Sequence, residues 1–115
     1  MHELSIALSL LDEIANVAQR EKATRVSRVR LRVGRMSGVA RDALLFAWEL
    51  ARSDTVAAQA ELLIEDVPLS VFCSRCQCER ATLEGGGLVC GICGAPSPTV
   101  VAGRELKLVS VEVDS

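Results

Sequence analysis

Two cysteine pairs set the strongest constraint on what this chain can fold into: CSRC at 73–76 and CGIC at 90–93, with thirteen residues between them. Two residues between cysteines allow a tight turn that points both thiolates at one ion, with nearby backbone amides free to bond the sulfurs. Two such knuckles supply four sulfurs in a tetrahedron with bonds of about 2.3 Å, which suits zinc. A site closed by Cys73, Cys76, Cys90 and Cys93 has no open position, so the zinc expected here is structural. A four-thiolate iron centre has the same ligands, but an electron-transfer role would leave the rest of the chain without a purpose. A dithiol redox pair needs only one C-x-x-C. The segment is also poor in apolar residues, and bound metal can contribute on the order of 10 kcal/mol to its folding. Gly94 follows the second knuckle and permits a sharp turn. ATLEGGGLVC, residues 81–90, reads as the hairpin joining the knuckles. A fifth cysteine, Cys78, turns the first knuckle into C-x-x-C-x-C; it is either a spare thiol or a ligand able to exchange into the site.

The remainder reads as an α+β unit. Leu4, Ala7, Leu8, Leu11, Ile14, Ala15 and Ala18 recur at spacings of three and four, which predicts a helix over residues 4–20 with one buried face. In RVSRVRLRVG, Val29, Leu31 and Val33 alternate with Arg28, Arg30 and Arg32, the period of a strand. Gly34 and the pair Ser37-Gly38 break it. Residues 41–52, RDALLFAWELAR, read as a second helix. Residues 53–59 read as a loop and 60–67, AELLIEDV, as a second strand ended by Pro68. From Gly103 the chain alternates again through RELKLVSVEV, with a change of phase at 108–109 that predicts a bulge. The cysteine segment therefore interrupts the α+β unit, and its ends near Val71 and Gly103 should lie close together. The expected architecture is two helices against a three-stranded sheet with an inserted four-cysteine zinc ribbon. Its domains are 1–70 plus 103–115, and 71–102.

Composition narrows the function classes. The net charge of −2 is near neutral and argues neither for bulk binding to nucleic acid nor for an acidic disordered tail. No apolar run approaches the roughly 20 residues of a membrane span, and the start of the chain lacks the form of a signal peptide. The default compartment is therefore the cytoplasm, where five cysteines point away from a disulfide framework. Seven of the thirteen cationic residues lie between Arg20 and Arg35. They form either a solvated strand face or a docking surface for an acidic partner protein. The ribbon carries few cations and no aromatic platform for bases. With one histidine, no serine–histidine pair and no open zinc position, nothing is arranged to activate a nucleophile, and no enzyme is expected.

That histidine is His2. A histidine at a helix start is ordinarily a solvated residue. Beside a free amino terminus it has a second reading. The α-amine of Met1, the backbone nitrogen of His2 and its imidazole make a tridentate chelate, and planar nitrogen donors suit nickel(II) or copper(II). The positive end of the helix dipole opposes a cation there. A deprotonated amide and the neighbouring Glu3 would offset it.

MHELSIALSLLDEI at the start, RVGRMSGV at 32–39, ALLFAWEL at 43–50, the two knuckles and the closing GRELKLVSVEV together resemble the HypA/HybF hydrogenase-maturation proteins over essentially the whole chain. The resemblance implies a nickel metallochaperone, not an enzyme. It implies nickel binding at Met1, His2 and Glu3 and zinc at the four knuckle cysteines. It also implies delivery of nickel to the large subunit of nickel–iron hydrogenase with a HypB-type GTPase, in some bacteria also to urease. The alternative is a zinc-ribbon adaptor or nucleic-acid-binding module without nickel cargo. Ala40 stands where relatives often carry a carboxylate.

Overall fold

The computed structural model describes residues 2–83 and 85–114. Its elements run α1 (His2–Arg20), β1 (Arg25–Gly34), α2 (Arg41–Ala51), β2 (Glu61–Val67), β3 (Ser70–Cys73), β4 (Cys78–Ala81), β5 (Val100–Ala102) and β6 (Leu106–Asp114). The strands form two three-stranded sheets, in the orders β2-β1-β6 and β4-β3-β5. The chain divides into two compact units. One comprises Met1–Arg32, Val39–Glu65 and Lys107–Ser115, the other Val33–Gly38 and Asp66–Leu106. The α+β architecture expected from the sequence, with two helices, a sheet of the three long strands and an inserted cysteine segment, is the one observed.

In the first unit α1 buries Ala7, Leu10, Leu11, Ile14 and Ala18. This face is rotated from the expected stripe: Leu8 and Ala15 are exposed and Leu10 is buried. The stripe of Leu and Ala was wide enough to admit either rotation, and packing against α2 selects one. Trp48 is fully buried on α2 beside Leu44 and Ala47. Its indole N–H donates to the Ala60 carbonyl at 3.4 Å, and Arg52 Nη1 donates to the same oxygen at 2.7 Å. These bonds fasten the loop after α2, whose Ala57 and Ala60 are buried.

The two ladder ends of β1 and β6 are out of step. Thr24 N–H donates to the Asp114 carbonyl and Gly34 N–H to the Glu105 carbonyl, ten residue steps on one side against nine on the other. The additional residue lies in β1, where the buried set passes from Val26 to Val29 across half-buried Ser27 and Arg28. In β6 the burial phase slips at Ser110–Val111, two residues beyond the expected place.

On the outer face of this sheet part of the basic strand is paired internally. Arg25 pairs with Asp114 at 3.1 Å, Arg28 with Glu61 at 3.3 Å and Glu112 at 3.6 Å, and Arg32 with Glu65 at 3.3 Å. β1 is the central strand, and its flanking strands supply the carboxylates. These arginines are part of a solvated, internally paired face, in which each ion pair contributes at most about 1 kcal/mol.

In the second unit, Ser70 pairs with Ala102 and Val71 with Val100, so the ends of the cysteine segment do meet. The segment 33–38 is pinned against these ends: Arg35 N–H donates to the Val67 carbonyl at 3.0 Å and Met36 N–H to the Gly103 carbonyl at 2.6 Å. Gly34 is required by this approach, because a Cβ there would lie 2.2 Å from the Gly103 carbonyl.

Candidate metal centre

β3 and β4 form a hairpin in which Cys73 stands opposite Cys78, and Val71 opposite Arg80. The turn between them is the first knuckle. Gln77 closes it, donating its N–H to the Cys73 carbonyl at 2.7 Å from a left-handed conformation, φ 61°. The second knuckle repeats the device: Gly94, at φ 78°, donates to the Cys90 carbonyl at 3.0 Å. The segment between the knuckles folds back as expected, with Thr82 bridged to Cys90 and Gly91 N–H donating to the Ala81 carbonyl at 2.9 Å.

These turns gather Cys73, Cys76, Cys90 and Cys93 so that all four sulfurs lie within 4.8 Å of one another. Cys73 and Cys93 Sγ are 3.5 Å apart, and Cys76 and Cys90 Sγ 3.9 Å. A tetrahedron with bonds of about 2.3 Å has edges near 3.8 Å, so the set fits a four-thiolate metal ion. Backbone amides point at the sulfurs. Cys76 N–H donates to Cys73 Sγ at 3.3 Å, and Ile92 and Cys93 N–H both donate to Cys90 Sγ at 3.4 Å. Such bonds favour thiolate over thiol. The Cys73 thiol is accordingly lowered to about 6, first by the Cys76 amide. Cys90 is also lowered, first by the Cys93 amide. Cys93 receives the Ala95 amide, which lowers it, yet burial and the neighbouring thiols push it up to about 11. The first negative charges are welcome here and the last is resisted. A divalent cation at the centre removes that conflict.

Cys78 is not one of the four. Residues opposite one another in an antiparallel pair share a face, so it lies on the same face of the hairpin as Cys73, half-buried. Arg80, one of the few cations of the ribbon, shares this face because it is two residues beyond Cys78 in β4.

At the other expected site, Met1 lies outside the described residues. His2 is the first residue of α1, its side chain 63% exposed, with Nδ1 3.8 Å from Glu3 Oε2. The first amides of a helix have no partner within it, so the His2 nitrogen faces no competition from the helix ladder. Glu3 has a second engagement: its carboxylate accepts the Ala40 N–H at 3.0 Å. Ala40 is the N-cap of α2 and supplies no side-chain cap of its own. Glu3 serves as that cap from a distance, and a carboxylate there is favoured by the helix dipole. The Ala40 amide is the first cause that holds Glu3 below the usual carboxylate range. Position 40 therefore meets Glu3 through its backbone.

The family model described as "Hydrogenase/urease nickel incorporation, metallochaperone, hypA" matches residues 1–113. The hydrogenase maturation factor HypA of Chloroflexus aggregans is 46% identical over 114 residues, covering 97% of this chain and 98% of its own. That of Wolinella succinogenes is 36% identical over 115 residues, covering 100% and 97%. The solution structure of the nickel metallochaperone HypA from Helicobacter pylori superposes with a TM-score of 0.70 at 26% identity, covering 98% of this chain and 97% of that one. A second solution structure of a HypA protein gives a TM-score of 0.70 at 29% identity, covering 98% and 96%. No helix among the described residues is long and apolar enough to cross a membrane. A four-sulfur cluster on paired knuckles, an M-H-E start and a family match along nearly the whole length lead to one conclusion: this chain belongs to the HypA family of nickel-incorporation metallochaperones that act in hydrogenase maturation, carriers of metal and not enzymes.

Proposed function

We propose that this chain takes up Ni(II) at its amino terminus and hands it to the large subunit of a nickel–iron hydrogenase, with a HypB-type GTPase as partner and urease as a further recipient. The α-amine of Met1, the backbone nitrogen of His2 and the His2 imidazole are the nickel donors. Glu3 belongs to the same end: it caps α2 through Ala40 and places negative charge beside the cation. A deprotonated amide among the donors makes binding release protons and weaken as pH falls, which suits a site that gives up its cargo. The observation that carries this reading is His2 itself, an exposed imidazole on the first residue of α1, in a family whose model matches from residue 1.

Zn(II) is the resident metal of Cys73, Cys76, Cys90 and Cys93, and it is structural. All four positions are sulfur, so bound zinc would hold the two knuckles together and leave no open position for substrate. On this reading the domains are a nickel-binding α+β domain, 1–70 plus 103–115, and a zinc-binding domain, 71–102, and the protein works in the cytoplasm without nucleic acid or membrane.

Calorimetric nickel titration tests the proposal on three zinc-loaded chains: the native one, His2→Ala, and one with a residue added before Met1. Both alterations are expected to abolish the tight nickel site while zinc stays at one per chain. Native nickel affinity in either altered chain overturns the amino-terminal assignment and favours a zinc-ribbon adaptor without nickel cargo.

A further inference from the structure

Aromatic residues are scarce in this chain, yet Phe46 of α2 is left in water, 67% exposed. Leu50, one turn further along α2, is 63% exposed, and Leu8 of α1 is 51% exposed. Single apolar residues on a surface are ordinary, whereas a contiguous group marks an interaction face. The geometry of the first unit brings these together. α1 and α2 pack against each other, and Glu3 holds the Ala40 amide, so the two helices start level. α1 turns directly into β1 and so runs against it. β1 and β2 are parallel, since Arg28 meets Glu61 and Arg32 meets Glu65; α2 joins them and also runs against β1. The helices therefore lie side by side in the same sense.

The helical repeat assigns their flanks. On α1, Val17 lines a depression with Leu108 of β6. Leu8, nine residues earlier, is about two and a half turns away and falls on the opposite flank. On α2 the C-cap Arg52 lines a depression with Leu62 of β2. Ala43, nine residues before it, falls on the opposite flank in one stripe with Phe46 and Leu50. β2 and β6 are the two edges of the sheet, so Leu8 and the Ala43 stripe face one another across the groove between the helices.

The border of this groove is acidic. α1 carries no lysine or arginine between His2 and Gln19. Asp12, one turn beyond Leu8, and Asp42, one turn before Phe46, are exposed. Neither forms an ion pair among the described residues. Arg25, Arg28 and Arg32 are engaged on the other face of the sheet. A second copy of this chain would set acid against acid across a two-fold axis, and an anionic lipid surface would be repelled by the same border. A third helix, apolar toward the groove and basic at its edges, matches both the stripe and its border.

We propose that the groove between α1 and α2 is a docking surface for an amphipathic helix of a partner protein: apolar side chains of that helix cover Leu8, Ala43, Phe46 and Leu50, and its lysines or arginines meet Asp12 and Asp42. The inference goes beyond the nickel reading and does not rest on it.

The probe is a synthetic helix of about five turns built from leucine and lysine with one leucine stripe, beside a leucine–glutamate peptide of the same pattern. Both are titrated into the zinc-loaded full chain and followed by amide chemical shifts. The lysine peptide is expected to bind at least about tenfold more tightly than the glutamate peptide, with shifts confined to α1 and α2. Phe46→Ser with Leu50→Ser is expected to weaken it at least about tenfold, since both side chains start in water and their loss spares the core. Asp12→Asn with Asp42→Asn is expected to weaken it about two- to fivefold and to flatten its salt dependence. Equal binding of the two peptides, shifts centred outside the groove, or native affinity in the serine variant overturns the proposal. So does self-association of the native chain that the serine variant loses, which would assign the face to a second copy. Binding of the native chain to phosphatidylglycerol vesicles that the serine variant loses would assign it to lipid and overturns the proposal as well.

Discussion

Gln77 and Gly94 occupy the same place in the two knuckles, and the difference between them is a difference in strain. Both donate to the carbonyl of the first cysteine of their pair, and both have positive φ. Glycine adopts that conformation freely; a residue with a Cβ gives up roughly 1 kcal/mol. Gln77 also donates its side-chain amide to the Ser74 carbonyl, which recovers part of the loss within the same turn. Gln77→Gly is expected to be neutral or to stabilise the zinc-loaded chain by up to about 1 kcal/mol, and Gly94→Val to destabilise it by about 2 kcal/mol or less. Chelator competition on the two variants measures both signs. At this scale the sequence was most readable: the ligand cysteines and Gly94 announce themselves by spacing. Gln77 does not, because glutamine carries no signal for a left-handed turn.

Among the elements, α1 ends by geometry that its sequence does not advertise. Ala23 N–H donates to the Ala18 carbonyl at 2.8 Å and Lys22 N–H to the Gln19 carbonyl at 3.1 Å, the paired bonds of a Schellman stop. The left-handed position is Lys22, at φ 53°, where glycine is usual. Lys22→Gly should raise the stability of the chain by about 0.5–1 kcal/mol, seen as a higher denaturant midpoint at unchanged slope; a fall in the midpoint would mean that the lysine side chain contributes more than its backbone loses. The long elements were legible because their periods of 3.6 and 2 extend over ten residues or more. The short strands β3, β4 and β5 were not assigned, since three or four residues carry too little pattern. The rotation of α1 escaped for the opposite reason: it has more apolar positions than one face can bury, and only its partner helix decides among them. The exact place of a bulge is hard to read, because register belongs to a pair of strands and a sequence is read one strand at a time.

For the whole molecule the division into two units means that stability need not be shared. The first has a core of Ile14, Val26, Leu31, Leu44 and Trp48, all fully buried, and each such large side chain adds about 1.5–3 kcal/mol. The second leans on its sulfur cluster. Removing zinc with a chelator is therefore expected to quicken amide exchange in β3, β4 and the knuckles while helical circular dichroism persists; joint collapse would mean that the cores are coupled. Acid has a parallel effect on the metal-free chain. Cys73 is held at about 6, below its ordinary 9.0, so what its ionisation adds to folding is complete above pH 9 and is lost as pH falls through about 6. The knuckles should loosen across that interval before the helices do.

Trp48 is the only tryptophan of a chain that has no tyrosine, and it lies wholly inside the unit without the cysteine cluster. The molecule thus carries an optical gauge that sees one half of itself. Its emission follows the helical core, so a titration in which zinc leaves and the fluorescence does not move is not a silent experiment. It would be a direct reading that one unit has let go while the other holds.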